Sequence, residues 1–507
     1  MFLFSAPFNF LLKSVMRQRM SGINRMREQP LEVQEQLFKN LLQRAKNTEW
    51  GQKYKYSEIH NQQQFSERVP SATYEEFFPL IERVMRGEKN VTWPGQIKWF
   101  SKSSGTTNAR SKFIPVTKES LEQGHYRAGK DLLAMYTDMY PQHKLFTGKG
   151  LSLGGSHQPN ELQPDSRYGD VSAVIMENLP GWAQAIRAPE LPIALMDKWE
   201  EKIQRIIETT QHENITSLAG VPTWTYVLIH KMLEATGKKY IREVWPNLEL
   251  FAHGAVAFGP YRQVFKDLIP QPGMHYMEQY NASEGFFGIQ DQRDSEDMLL
   301  LLNHGVYYEF IPIEQVDYEQ PKTISLADVK LGESYALMIS TNSGLWRYRI
   351  GDTVKFTSIS PYRIRITGRT KHFINAFGEE VVVENAEAAI AEASEKTHAL
   401  VTDFTAAPVY LEGGKRGGHE WLIEFKKAPD NFGRFIEVLD QKLREINSDY
   451  DAKRQNDLAL ALPQVKMVPT GTFYEWMRSK NKLGGQHKVP RLYNTREIVE
   501  EILKIIG

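Results

Sequence analysis

Ile215-Thr-Ser-Leu-Ala-Gly220, Leu248-Glu-Leu-Phe-Ala252 and Met274-His-Tyr-Met-Glu-Gln-Tyr280 decide the fold. Each is a short apolar run of strand length, and a helical pattern separates each from the next. Pro222 opens the first helix at the position where proline costs no hydrogen bond, and the pattern runs through Tyr226 and Ile229 to about Glu234. Tyr261 to Leu268 is the second. Upstream, Met196, Trp199, Ile203, Ile206 and Ile207 share one helical face. This β-α-β-α-β alternation predicts a largely parallel, buried sheet. Ligands on such sheets gather at the carboxyl ends of the strands. His253-Gly254-Ala255 and Tyr280-Asn281-Ala282-Ser283-Glu284 both fall at such ends.

Downstream the pattern changes. Leu299-Leu-Leu-Leu-Asn303 and Val306 to Pro312 flank Asn303-His304-Gly305, which predicts an antiparallel hairpin. Strands are expected at Tyr335 to Ser340 and Arg347 to Phe356, giving a β-barrel-like part. After Gly368 the chain starts afresh. Strands at 381–383, 421–425 and 465–468 alternate with helices at 385–396 and 432–447, which predicts a small α+β domain. The division expected is a large domain over 1–368 and a small, mobile one over 369–507. Gly413-Gly-Lys-Arg-Gly-Gly418 reads as a solvated tip.

The bulk numbers exclude several classes. At 507 residues the chain can bury more than one core. Lys plus Arg equals Asp plus Glu at 62 each, so no global field draws it to nucleic acid or an anionic membrane. With no cysteine, thiolate metal sites and a cysteine nucleophile are excluded, and a reducing, cytoplasmic setting is expected. The apolar run Met1 to Leu12 precedes Lys13, Arg17 and Arg19, the reverse of a secretory signal. Pro7 and Asn9 interrupt it, and it is too short to span a bilayer. It reads as a helix docked on the body of the protein, with peripheral membrane contact as the alternative. No integral membrane segment and no nucleic-acid partner are expected.

Ser103-Ser-Gly-Thr-Thr107 lies between two strand patterns, Gln96 to Ser101 and Lys112-Phe-Ile-Pro-Val116. A hydroxyl-rich turn of this kind wraps backbone N–H and side-chain OH groups around phosphate oxygens. Read alone, it is more often a plain hairpin loop. Two near-motifs lie elsewhere in the chain. Gly124-His-Tyr-Arg-Ala-Gly-Lys-Asp131 nearly spells a Walker A loop but ends in Asp and lies in a helical pattern. Gly150-Leu-Ser-Leu-Gly154 satisfies the serine-hydrolase elbow, yet Gly155 to Pro159 breaks the helix that an elbow requires.

Five segments taken together carry a resemblance. Ser103 to Thr107 with Lys112 resembles the phosphate loop of the adenylate-forming superfamily. Tyr280 to Glu284 resembles its second motif, and Tyr348-Arg-Ile-Gly-Asp352 its third. Gly368-Arg-Thr-Lys371 resembles its interdomain hinge. With Ile374 to Glu380 and Gly485 to Arg491, the set is similar to the Gretchen Hagen (auxin-responsive) family of acyl-acid amido synthetases in its bacterial form. Asn108-Ala109-Arg110 departs from the phosphate loop, where the family often has a second glycine.

The resemblance implies an ATP- and magnesium-dependent ligase. Ser103, Ser104, Thr106 and Thr107 would donate to phosphates, Gly105 would admit close backbone approach, and Lys112 would add charge. Glu284 would hold Mg2+, and Tyr280 would stack on adenine, with Asn281, Ala282, Ser283 and Ala255 around the nucleotide. Asp352 would accept from the ribose hydroxyls, Arg369 would contact ribose or phosphate, and Lys371 would be the pivot. Lys488 would meet the charge developing in adenylation, with Lys482 as its rival. Thr106, Glu284 and Lys488 are thus the expected catalytic residues. Residues 120–126, 221–226 and 253–258 would line the acyl pocket. The expected substrates are a small carboxylic acid and an amino acid, and the expected state is a monomer or weak dimer. The rival readings are an acyl-CoA ligase on the same scaffold and a nucleotide-binding protein without turnover.

Overall fold

The computed structural model describes residues 6–103, 112–370, 373–410, 417–455, 459–480 and 489–506. Its centre is an eleven-stranded sheet. The order across it is Val306–Pro312, Ser334–Thr341, Tyr348–Ile359, Tyr362–Arg369, Met298–Leu300, Gly285–Gln290, His275–Ala282, Leu250–Gly254, Ile215–Gly220, Lys149–Ser152 and Arg187–Ala188. From His275–Ala282 to the Arg187–Ala188 edge every neighbour is parallel. Towards the other edge every pairing is antiparallel. The strand His275–Ala282 is where the two regimes meet.

The parallel half follows the alternation expected from the sequence. Trp199–Thr210 buries Ile203 and Ile206, and Pro222–Thr236 ends at Gly237, whose φ of 66° suits a residue without Cβ. The hairpin expected at Asn303-His304-Gly305 does not form. Met298–Leu300 pairs with Gly285–Gln290 and Tyr362–Arg369, while Val306–Pro312 pairs with Ser334–Thr341. Gln34 from an N-terminal helix explains the divergence. Its Nε2 donates to the carbonyls of Leu302 and Val306, at 2.6 and 3.1 Å, and holds the connection open.

The helix Ala6–Glu28 docks on the body, with Met16, Met20, Ile23 and Met26 buried and Arg19 paired with Asp131. That ion pair, with His304 Nε2 at 3.0 Å from the same carboxylate, gives the end of the Walker-like stretch a structural role. No helix among the described residues is long and apolar enough to cross a membrane. Lys149–Ser152 leads into Gly154, Gly155 and the strand His157–Pro159, so the elbow-like serine is not followed by a helix.

The C-terminal region forms its own three-stranded sheet in the order Leu400–Val409, Gly418–Lys427, Gln464–Val468. Helices Val383–Lys396 and Phe432–Ile446 pack with it. One apolar cluster joins Phe251 and Tyr261 to Phe377, Trp421 and Phe435 across the two parts of the chain.

Candidate active site

Trp99–Ser103 and Lys112–Val116 pair antiparallel, with Ser103 opposite Lys112. These two strands flank the Ser/Gly/Thr segment. Ser104, Gly105, Thr106 and Thr107 lie outside the described residues, as do Lys371, Lys482 and Lys488. Tyr74, which belongs to none of the sequence motifs, anchors the returning strand. Its hydroxyl oxygen accepts from the Phe113 N–H at 2.8 Å, and Lys112 Nζ sits 5.6 Å over its ring. Burial pushes the Lys112 ammonium below the usual lysine range, and the Glu284 carboxylate opposes that most.

Ala282 lies opposite Gly285, so Ser283 and Glu284 form a two-residue turn between the strands His275–Ala282 and Gly285–Gln290. Ser101 Oγ donates to Ser283 Oγ at 2.9 Å, tying the Ser103 hairpin to this turn. Burial pushes the Glu284 carboxyl up, Lys112 pulls it back, and Asp352 pushes it up again. Asn281 neighbours His125, a buried imidazole whose pKa burial pushes down to about 4.

Asp352 and Arg369 are directly opposed across Tyr348–Ile359 and Tyr362–Arg369. Arg369 Nε donates to Asp352 Oδ1 at 2.7 Å, and its Nη1 pairs with Glu380. Tyr280 donates its hydroxyl to Asp352 Oδ2 at 2.5 Å. Its ring is 5% exposed and packs edge-on to Phe287 at 4.8 Å. The tyrosine expected to stack on adenine thus also holds this carboxylate through its hydroxyl.

Ala255 follows the strand Leu250–Gly254 in the left-handed region, at a φ of 71°. Asn375 Nδ2 donates to its carbonyl at 3.1 Å, and Tyr261 OH donates to the Ala376 carbonyl at 2.6 Å. The stretch Ile374 to Glu380 is thereby docked at the carboxyl end of the parallel strands. The buried Glu379 accepts from the N–H of Phe377 at 2.7 Å and lies 2.8 Å from His419 Nε2, which fixes the loop.

Three structural segments therefore converge: the Ser103 hairpin through Ser101, the Ser283-Glu284 turn, and Asp352 with Arg369. A cavity of about 180 Å³ adjoins them, lined by Tyr74, Glu75, Lys112, Gly351, Arg369 and Phe373. A second, of about 400 Å³, is lined by Trp99, Val116, Leu121, Glu122, Tyr126 and Asn178. Leu121, Glu122 and Tyr126 belong to the 120–126 stretch expected at the acyl pocket. The other two stretches behave differently. His253 stacks on Phe258 at 3.8 Å inside the core, and Trp224 stacks on Trp199 at 3.9 Å. The sequence signals for Tyr74 and Glu380 were thin. Tyr74 belongs to no motif, and Glu380 ends the Ile374 to Glu380 run without an expected role of its own.

A mixed sheet, with motif residues gathered at the carboxyl ends of its parallel strands and a small C-terminal α+β part, is the architecture of adenylate-forming ligases. Comparison with known proteins narrows this. The GH3 family N-terminal domain matches residues 19–274, its central domain 299–369 and its C-terminal domain 384–497. The chain belongs to the GH3 family. It is 24% identical to indole-3-acetic acid-amido synthetase GH3.3 of Arabidopsis thaliana, over 92% of this chain and 90% of that one. Among solved structures it resembles the AtGH3.15 acyl acid amido synthetase in complex with 2,4-DB, with a TM-score of 0.62, 18% identity, and 98% and 97% of the two chains covered. It also shares its fold with 2-hydroxyisobutyryl-CoA ligase in complex with 2-HIB-AMP and CoA, at a TM-score of 0.57 and 12% identity, over 95% and 94% of the chains.

Proposed function

We infer that this protein is an acyl acid amido synthetase that activates a carboxylic acid with ATP and passes the acyl group to an amino acid. In the first half-reaction a carboxylate oxygen attacks the α-phosphorus, and the bond to the β-phosphate bridge breaks, releasing pyrophosphate. In the second, an amine nitrogen attacks the acyl carbonyl carbon. The bond to AMP breaks, and the nitrogen loses a proton. The observation that carries this reading is the meeting of Ser101, Ser283, Glu284, Asp352 and Arg369 from distant parts of a GH3 chain.

The first step brings two anions together, so the site must supply directed donors and positive potential. Arg369 and Tyr280 fix Asp352 so that its remaining lone pairs face the ribose hydroxyls. Lys112, held over Tyr74, and the residues of 103–107 serve the phosphates. Asn281, Ala282 and the Ala255 carbonyl border the nucleotide, and Lys488 or Lys482 meets the developing charge.

Glu284, Asp352 and Glu380 set three carboxylates against Lys112 and Arg369, a poor host for a bare polyphosphate. A divalent cation offsets this. Mg2+ takes oxygen ligands, keeps several waters and uses one or two carboxylates when phosphates supply the rest. The donor set fits: Glu284 offers one carboxylate, and the described residues hold no cluster of three metal-ligating side chains. When bound, the ion supplies charge neutralisation at the phosphates. Residues 369–507 form the unit that reorients between the half-reactions, with Lys371 as the pivot that absorbs the change.

The test is ATP–pyrophosphate exchange across a panel of carboxylic acids, followed by mass analysis of products formed with amino acids or with coenzyme A. Amide products support the reading. Thioester products favour acyl-CoA ligation, and no AMP with any acid overturns it.

A further inference from the structure

Arg187 is a buried cation that the nucleotide motifs do not use. It is 8% exposed and stands in the edge strand Arg187–Ala188, beside Gly150 of the parallel strand Lys149–Ser152. Among the described residues no carboxylate pairs with it. Its Nε and Nη2 both donate to Gln184 Oε1, at 3.3 and 3.0 Å, and Nη1 reaches Met176 Sδ at 3.9 Å. Burial lowers its pKa. The chain treats its other buried guanidinium groups differently. Arg347 pairs with Glu309 and Arg454 with Asp440, each a buried carboxylate. A desolvated charge without a counter-ion is costly. Here the chain has left the counter-ion out.

The place of Arg187 matters as much as its charge. Met176, which its guanidinium touches, packs so tightly on Gly154 that an added Cβ there would lie 2.7 Å from the sulfur. Lys202 Nζ donates to the carbonyls of Gly154 and Gly155, at 2.8 and 3.4 Å, and fixes that turn. The guanidinium thus reaches towards the Gly154-Gly155 turn through Met176, while the Arg187 backbone is level with Gly150 and, through Ser217, with Leu250 at the start of the strand Leu250–Gly254. Three strand steps, about 14 Å, separate its strand from Leu250–Gly254.

We propose that Arg187 binds the α-carboxylate of the acceptor amino acid. The assignment rests on the amido synthetase reading above. In that reaction the acyl acid loses its carboxylate to the adenylate, whereas the acceptor carries its own through unchanged and needs a permanent cation. Gln184 Oε1 takes two donors of one guanidinium fork, the arrangement a carboxylate fills with two oxygens. Gln184 is half-buried and neutral, belongs to the short helix Gly181–Ala185, no residue of which is buried, and donates its Nε2 to the Met176 carbonyl at 2.6 Å. A carboxylate displaces it and neutralises the arginine.

The experiment compares Arg187→Gln, Arg187→Lys and the unaltered protein, with a panel of L-amino acids and the matching amino acid carboxamides as acceptors. For Arg187→Gln the apparent KM for the best amino acid is expected to rise about ten- to a hundredfold. The carboxamide KM is expected to move less than twofold, and Arg187→Lys to fall between. A rise shared by acid and carboxamide marks a structural role and overturns the proposal. So does an unchanged amino acid KM, or a selective rise in the KM of the acyl acid in pyrophosphate exchange. Should Arg187→Gln fail to fold, the acid-to-carboxamide ratio in Arg187→Lys decides alone. Absence of pyrophosphate exchange in the unaltered protein would instead remove the amido synthetase reading on which the assignment stands.

Discussion

Tyr280 donates its hydroxyl to Asp352 at 2.5 Å across 72 positions of chain, joining the strand His275–Ala282 to the strand Tyr348–Ile359. Two motifs that look independent in the sequence are one mechanical unit. The carboxylate receives Arg369 on one oxygen and Tyr280 on the other, so its orientation is set before a ligand arrives. Tyr280→Phe keeps the ring packed on Phe287 and removes only the donor. A hydrogen bond to a charged group contributes about 1.5–3 kcal/mol. The expected outcome is a KM for ATP raised about tenfold in pyrophosphate exchange, with a lower thermal midpoint. An unchanged KM would show that Asp352 does not depend on the tyrosine.

Glu284 supplies the turn carboxylate beside Lys112. Glu284→Gln keeps the shape and removes the charge, so binding of the divalent ion and stabilisation of the phosphates both weaken. Loss of such an electrostatic contribution costs about a hundredfold or more in rate. Pyrophosphate exchange at saturating acid is the measurement, titrated with Mg2+. Exchange at the unaltered rate would remove Glu284 from the site.

Much of this arrangement is legible from the chain, because hydrophobic period and turn chemistry are local. The runs at 215–220, 248–252 and 274–280 are short and of strand length with apolar residues spaced along them, and Pro222 announces its helix. Pairing partners are not local. Leu299 to Leu302 and Val306 to Pro312 look like two arms of a hairpin, yet each is claimed by strands far away, with Gln34 holding their connection. The strand Leu400–Val409 escaped because its Ala406-Ala407-Pro408 breaks the apolar alternation. At the candidate site, motif spacing singles out Asp352, Glu284 and Ser103 as residues to examine in three dimensions. The work of Tyr74, Glu380 and Arg187 shows only in three dimensions, since nothing in sequence says that a buried arginine lacks an acid.

Glu278 lies two residues before Tyr280 on the same strand, and its pKa is pushed up to about 7. Burial is the main cause and repulsion from Glu296 the next, with Arg262 and Arg365 opposing. A carboxyl raised in the folded state adds stability at pH values below its unfolded pKa. That stability is lost as pH rises through the folded value. The cost therefore develops between about pH 4.5 and 7 and is complete by pH 8. Glu278→Gln removes it. The variant is expected to be more stable than the parent by about 1–2 kcal/mol at pH 8, after discounting for partial exposure, and equal to it near pH 4.5. Paired thermal melts at the two pH values give the answer. A gain of equal size at both would assign the effect to packing instead of charge.

Gly254 pairs with Gln279 where the parallel strands deliver Ala255 and Tyr280 to the site. A Cβ at this position would stand 2.3 Å from the Gln279 carbonyl oxygen, a backbone atom with no rotamer to escape into. Gly254→Ala must therefore push Leu250–Gly254 away from His275–Ala282. Overpacking of this kind costs about 1–3 kcal/mol and sometimes more. The same movement shifts the Ala255 carbonyl away from Asn375 and tilts Tyr280 under Asp352. Stability and catalysis should fall together: a lower unfolding midpoint, and pyrophosphate exchange reduced at least tenfold even at temperatures where the variant stays folded. A folded variant with normal exchange would mean that the strand spacing at Gly254 does not govern the geometry of the nucleotide site.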